Sequence, residues 1–400
     1  MYSHTMTIKA LIIGGGVAGP VTAMALKQAG IDSTVYEAYD RSADGVGAFL
    51  TLAVNGLAAL RTLGLSNLVR DKGFDTPSMA AEMDGRRLAE FSFGQPLPDG
   101  TRNQTITRAD LYGALRDEAV RRGVPVEYGK RLVAAESTSD GVLARFADGS
   151  TARGDLLIGA DGLRSVTRRI IDPNAPAPRY VPLLNAGGYA RGVALAGEPG
   201  VMHMFFGRRC FFSYVTRPDG EVWWFANPPQ PTELAPKDLA AITPEQWRTK
   251  LRDLFAGDDF PALEVIDATG HIFSGWNTYD FPKVPVWHRD RMIIIGDAAH
   301  ATSPASGQGA SMAMEDAVTL AKCLRDLPEV PWAFAAYESL RRRRVERVVA
   351  RGKRNGDGKA VGRLGRMMLP LIFRFVAKAA PKQGWLYDHR IDWDEPVAVG

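Results

Sequence analysis

Four hundred residues exceed one ordinary hydrophobic core and point to two or three domains. Hydrophobic residues make up 46% and charged residues 24%, a globular composition that excludes disorder, collagen and a coiled coil for the chain as a whole. A net charge of +4, from 49 basic and 45 acidic residues, is too mild to argue for a nucleic-acid partner.

Cys210 and Cys323 supply neither a disulfide framework nor a metal spacing, so a reducing cytoplasm is the expected location. Met1 to Lys9 is polar and too short for a signal peptide, and no apolar run is long enough to span a membrane. In chain order, Lys9 to Ile13 is a short apolar run ending in glycines and reads as a buried parallel strand. Val17 to Ala29 has helical spacing and stops at Gly30, and Ser33 to Tyr36 reads as a second strand. Those forty residues form one βαβ unit. Helices are expected over Asn55 to Leu65, Thr107 to Arg122 and Gly309 to Leu327, and strands over Asp155 to Gly159 and Arg291 to Ile295.

Between about 176 and 285 short aromatic runs alternate with turn signals. Phe211 to Val215 and Glu221 to Phe225 flank Arg217-Pro218-Asp219-Gly220, the spelling of a type I turn closed by a left-handed glycine. A three-residue loop pairs Val215 with Trp223, placing Ser213, Val215, Trp223 and Phe225 on one face and Phe212, Tyr214 and Trp224 on the other. The fold class expected is α/β: a Rossmann-like domain (1–70, 101–175 and 286–330) with an inserted mixed or antiparallel sheet (71–100 and 176–285). A helical region (331–400) completes the chain.

Three constellations carry chemistry. Gly14-Gly15-Gly16-Val17-Ala18-Gly19 follows a strand and opens a helix. Gly14 allows the tight turn, Gly16 admits a pyrophosphate, and Gly19 lets helix and strand approach. Glu37 ends the next strand, placed for a ribose 2′-hydroxyl, so the nucleotide is FAD or NAD. Asp161 and Gly162 end another strand before a helix near Ser165; Asp161 is either a ligand group or a helix cap. Gly296 and Asp297 end a third strand, followed by His300, Pro304 and Gly307-Gln308-Gly309, where Asp297 suits a polyol chain or a cap. Gly356-Asp357-Gly358 follows no strand and reads as a surface turn.

Together these residues resemble the single-component, FAD-dependent aromatic hydroxylases, the group that includes para-hydroxybenzoate hydroxylase and the tetracycline-inactivating monooxygenases. The resemblance covers nearly the whole chain. It implies noncovalent FAD held by Gly14, Gly16, Ala18, Gly19, Glu37, Arg108, Gly296, Asp297, Pro304, Gly307, Gln308 and Gly309. It implies that Asp161 and Gly162 meet both the flavin and a transient NADPH or NADH, and that Gly45 to Thr51, with Gly47 and Ala48, is the segment over which the flavin swings. Unlike some relatives, Gly45 to Ala53 has no arginine. The activity implied is hydroxylation of an aromatic or polycyclic small molecule by O2 through a flavin C4a-hydroperoxide. No metal is required. A monomer or homodimer is expected.

One face of the hairpin sheet floors the site in that family, and the Trp223 face is the expected one. His203, Ser213, Trp223 and Phe225 are the substrate candidates, with a sheet-satisfied histidine the alternative for His203. His300 reads as packed or capping rather than as an acid or base. Arg341 to Arg344, with Arg347 and Arg351, reads as a solvated helix face, with Glu338 and Glu346 as i,i+4 partners. Met367 to Val376 reads as an apolar helix over the substrate sheet, broken by Pro370. A halogenase or prenyl reductase of the same fold, or a non-catalytic nucleotide binder, remain as rivals; the halogenase pattern Trp-x-Trp-x-Ile-Pro does not occur at Trp223-Trp224-Phe225.

Overall fold

The computed structural model describes residues 8–40, 48–92, 94–357, 368–373 and 384–397. Lys9–Ile13 is apolar from Ala10 onward and takes a central place in a six-stranded sheet, where both faces are covered. The order across that sheet is His288–Arg289, Met292–Ile294, Leu156–Gly159, Lys9–Ile13, Asp32–Tyr36 and Val126–Glu127. All but the His288–Arg289 edge run parallel. Ile13 lies beside both Gly159 and Tyr36, and Gly159 beside Ile294. The three predicted turns therefore leave one carboxyl edge, where ligands of such sheets bind.

The helix Ala18–Gln28 ends where Gly30 turns left-handed at φ +77°, and it packs on Gly309–Asp326. The helix Arg108–Arg121 is capped by Thr107, whose hydroxyl accepts from the Asp110 amide.

The aromatic segment joins a second, seven-stranded sheet. Its order is Thr269–Asp280, Arg179–Ala190, Val222–Asn227, Phe211–Thr216, Met202–Phe206, Ser78–Met83 and Arg86–Ser92. The predicted turn is present, with Gly220 at φ +85°, and Val215 faces Trp223. The two faces separate as the pairing requires. Phe212, Tyr214 and Trp224 are sealed under Trp247, Leu251 and Phe255 of a capping-box helix, Pro244–Phe255. Val215, Trp223 and Phe225 turn the other way, toward Phe49 and Phe74.

The surface turn expected at Gly356-Asp357-Gly358 is not formed. A single helix, Val330–Asp357, runs through Gly356, and Gly358 lies outside the described residues. One turn earlier Gly352 packs closely, since a Cβ there would lie 2.6 Å from Thr302 Oγ1, and Asn355 donates to the Ala305 carbonyl. The helix over 368–373 buries Leu369 and Phe373 against Ala81 and Phe206 of the second sheet. Met367 and residues 374–376 of the expected helix lie outside the described residues, and Pro370 does not interrupt the described turns. Among the described residues no helix is long and apolar enough to cross a membrane.

Candidate cofactor and substrate site

The three strand-end turns converge. A Cβ on Gly14, whose φ is +108°, would lie 2.4 Å from the Ala160 carbonyl, so only glycine lets the first turn reach the second. A Cβ on Gly296 would touch Ala18 and Ala313, which brings the third turn against the first. Gly19 presses its helix onto the turn: a Cβ there would come within 1.9 Å of the Gly14 carbonyl. Gly16 differs from both. A Cβ there meets nothing within 4 Å, so the backbone borders open space. Glu37 accepts from the Gly15 amide at 2.6 Å and from the Tyr39 amide at 3.0 Å, one bond per oxygen, which leaves acceptor capacity on each.

Asp161 and Asp297 occupy matching places and behave oppositely. Asp161 accepts from Ser165 Oγ at 2.5 Å, the Val166 amide at 2.8 Å, and the Thr167 amide and hydroxyl, both at 3.0 Å. Its carboxylate holds the start of the helix Val166–Ile171, which is the helix-cap alternative of the two readings of Asp161. The reason is the loop length, which returns the amides to the acid. Gly162 beside it, at φ +71°, has nothing near a Cβ position. Among the described residues Asp297 makes no side-chain cap bond, and its side chain stays exposed while Ala298, Ala299 and His300 after it are buried, as in a group facing a cleft. Burial pushes its carboxyl up, and His300 and Arg108 pull against that shift. Asp297 Oδ1 lies 3.9 Å from where a Gly309 Cβ would stand. Arg108 carries a buried Nε with no partner among the described residues. Ala48 is buried beside the strand Phe49–Leu52, its carbonyl accepting from the Arg108 amide, while Gly47 lies outside the described residues. Pro304 and Gly307 are exposed at the rim.

Behind these turns lies a buried ionic network that the sequence reading missed. Asp316 Oδ2 accepts from the Gly296 amide at 2.9 Å and from His300 Nε2 at 2.5 Å. Its Oδ1 accepts from Arg341 Nε at 2.7 Å, and Arg341 Nη1 reaches Glu315 Oε2. Arg344 grips both oxygens of Glu315 at 2.8 Å. Burial alone raises both acids, but the cations win: Glu315 is drawn down to about 2, and Asp316 is held well below the usual carboxylate range. The expectation of a solvated arginine face is therefore corrected. Arg341 is 1% exposed and Arg344 mostly covered, because Glu315-Asp316 sits inside an apolar stretch of the helix beneath them. Arg343 and Arg347 are exposed as expected, and Arg342 makes the expected pairs with Glu338 and Glu346. The signal available was that acidic pair itself, two charges amid Met312 to Ala321. Gln308, expected at the cofactor, turns its side chain inward to accept from Asn55, which also donates to Glu315. His300 is packed and hydrogen-bonded, as its sequence context indicated.

The substrate candidates divide. His203 does not face the Trp223 side. It stacks on Tyr214 at 4.7 Å and bonds Glu82 through Nδ1 at 2.6 Å, because strand alternation turns it to the other face. Ser213 is on the expected side, but its buried hydroxyl donates to the His203 carbonyl and is not presented. Trp223 is packed among Phe49, Phe74 and Tyr189, its indole N–H on Glu221. Phe225 and Tyr189 are only half-buried on that face. Phe49, which the sequence reading did not select, stands across from Trp223 at 5.5 Å and Phe225 at 6.0 Å.

Gly16 beside open space, the orphaned Arg108 Nε and the cleft-facing Asp297 all fit a bound dinucleotide. A model of the FAD binding domain matches residues 7–352. The FAD-dependent urate hydroxylase of Klebsiella pneumoniae is 33% identical over 358 residues, 88% of this chain and 90% of that one. The aurachin C monooxygenase/isomerase of Stigmatella aurantiaca is 32% identical over 360 residues, covering 87% and 88%. The 3-amino-4-hydroxybenzoate 2-monooxygenase of Streptomyces cremeus is 32% identical over 368 residues, covering 87% and 86%. Klebsiella pneumoniae HpxO, solved in complex with FAD and uric acid, superposes with a TM-score of 0.81 at 29% identity, over 94% of this chain and 95% of that one. The chain belongs to the FAD-dependent monooxygenase family and is a flavoprotein oxidoreductase.

Proposed function

We propose that this protein uses NADPH or NADH and O2 to hydroxylate a planar aromatic small molecule. The observation that carries the reading is the two-faced sheet: one face is sealed by helices, and the other presents half-buried Tyr189 and Phe225 toward Phe49. Bound flavin supplies the reductive activation of oxygen, and the chain supplies position and dryness.

Gly14, Gly16, Ala18 and Gly19 would hold the pyrophosphate, and Glu37 the ribose. Asp297 orients the ribityl chain from within the cleft, aided by the Arg108 guanidinium. Gly162, Gly307 and Gly309 would let backbone approach the ring, and Ala48 would border the same site. An aromatic substrate slides against Phe225 and Tyr189, and Trp223 stiffens the floor. Urate and 3-amino-4-hydroxybenzoate, which two of the relatives' names carry, are flat rings of suitable shape.

The test follows reductant oxidation and oxygen uptake together while planar aromatics are screened, once with NADPH and once with NADH. A true substrate accelerates both signals and yields a product heavier by one oxygen. FAD-loaded protein that consumes neither with any ring tested overturns the reading in favour of a binder. Reductant consumption without oxygenated product favours another flavin oxidoreductase.

A further inference from the structure

We infer that Asp316 and Arg341 are positioning residues for the cofactor, acting through the backbone of the Gly296–His300 turn. The inference rests on FAD binding at the cleft. Gly296 adopts φ +57° and ψ −139°, a conformation open to glycine alone, and it is this conformation that aims Asp297 into the cleft. A strained turn persists only where its surroundings over-determine it. Here Asp316 Oδ2 holds both ends of the turn, the Gly296 amide and His300 Nε2. An ionised carboxylate only accepts, so His300 carries its proton on Nε2.

Arg341 in turn fixes Asp316. Its planar fork reaches Asp316 through Nε and Glu315 through Nη1, a span that a lysine ammonium does not reproduce. Glu315 then extends the same scaffold to the other cofactor-facing elements. It accepts from Asn55, which begins the helix after Phe49–Leu52 and also donates to Gln308, between Gly307 and Gly309. One buried network thus ties together the third turn, the small-residue loop and the segment beside Ala48. Arg344 adds a fourth tie. It donates to the Trp385 and Leu386 carbonyls, residues beyond the 7–352 span matched by the family model. None of these groups touches the cleft; they act on it through the loops they hold.

The experiment must separate this from plain stability, since breaking a buried pair on one side leaves an uncompensated charge. Asp316→Asn/Arg341→Met removes one charge of each sign and leaves the Glu315–Arg344 pair intact. Three quantities are read on wild type and variant: FAD affinity by fluorescence, the visible absorption of bound flavin, and the melting temperature of the apoprotein. Wild type must take up FAD; if it does not, the functional reading has failed rather than this one. The expected result is a folded variant with FAD affinity weakened about tenfold, the scale on which supporting groups act on a site, and an altered flavin band shape. A folded variant with unchanged affinity and spectrum overturns the proposal. Should the double variant not fold, His300→Leu carries the test, because it removes one donor to Asp316 and spares all three arginine–carboxylate pairs. Weakened FAD affinity at an unchanged apoprotein melting temperature supports the proposal, and unchanged affinity overturns it.

Discussion

The turns after Gly159 and after Ile295 are spelled alike, an apolar strand, small residues, an aspartate and a helix, yet they do different work. Asp161 is consumed by four donors of its own loop. Asp297 is left without a cap bond and faces the cleft. The difference is made by what lies around each aspartate. Ser165 and Thr167 return to Asp161 within six residues, whereas a distant carboxylate, Asp316, takes the amide of Gly296 and frees its neighbour. The lesson is that a site residue is recognised by a group the protein declines to satisfy, and the local motif does not reveal which group that is.

The same contrast separates Gly16 from Gly19 and supplies the largest predicted effect. Gly16→Val projects into open space, so the apoprotein should melt normally while FAD uptake is abolished. Gly19→Val drives its side chain into the Gly14 carbonyl and should lower the melting temperature before binding is ever measured. If the Gly16 variant still binds FAD with wild-type affinity, the pyrophosphate does not lie there.

Next in size come the aspartates themselves. Asp297→Ala should weaken FAD by roughly ten- to a hundredfold, the equivalent of a charge-assisted bond of about 1.5–3 kcal/mol. Asp161→Ala should instead cost about 0.5–2 kcal/mol of stability, as the loss of a helix cap does. Titrations of both variants with FAD, alongside urea unfolding, would show the crossing pattern. Equal losses in both columns would erase the distinction between the two turns.

A smaller effect tests the two faces of the second sheet. Phe225→Ala should raise the KM for an aromatic substrate by about two- to tenfold, the value of one ring contact. His203→Gln, on the sealed side, should leave KM alone and act on stability through Glu82. A KM effect confined to the His203 variant would place the substrate on the wrong side of the sheet for this reading.

Much of this was legible beforehand. The βαβ unit, the glycine stops and the hairpin register follow from short-range rules, so Val215 opposite Trp223 could be read from loop length alone. The faces of the sheet followed, though not what each residue does there: Ser213 lay on the expected side with its hydroxyl already committed to a neighbouring strand. Long-range pairing was illegible for the same reason. Arg341 lies 25 residues from Asp316 in sequence and 1% exposed in space, and no local pattern distinguishes it from Arg342, which bridges two surface-side acids. The surface turn read near Gly356 failed because glycine was taken as a break, whereas the helix Val330–Asp357 continues through both Gly352 and Gly356.

The smallest expected effect concerns pH, and it sets the two kinds of acid against each other. Glu315 has its folded value drawn down to about 2 from 4.5. Its contribution to stability is therefore complete above the unfolded value and is lost as pH falls from about 4.5 toward about 2. His389, 3.9 Å from Glu315, is lowered by burial to about 4 from 6.5, so the unfolded chain takes up its proton first and stability declines between those values as well. Asp297 runs the opposite way. Burial raises its carboxyl, so the apoprotein gains from it only at low pH and loses that gain as pH rises through the raised value. Asp297→Asn removes the ionisation and keeps the shape. At neutral pH the apo variant should thus resist urea slightly better than wild type, and the advantage should shrink as pH is lowered. The same variant should hold FAD less well, since the charge that destabilises the empty cleft is the one that grips a ribityl hydroxyl. An apo variant less stable than wild type at neutral pH would mean that Asp297 is satisfied within the protein after all, and the contrast with Asp161 would fall with it.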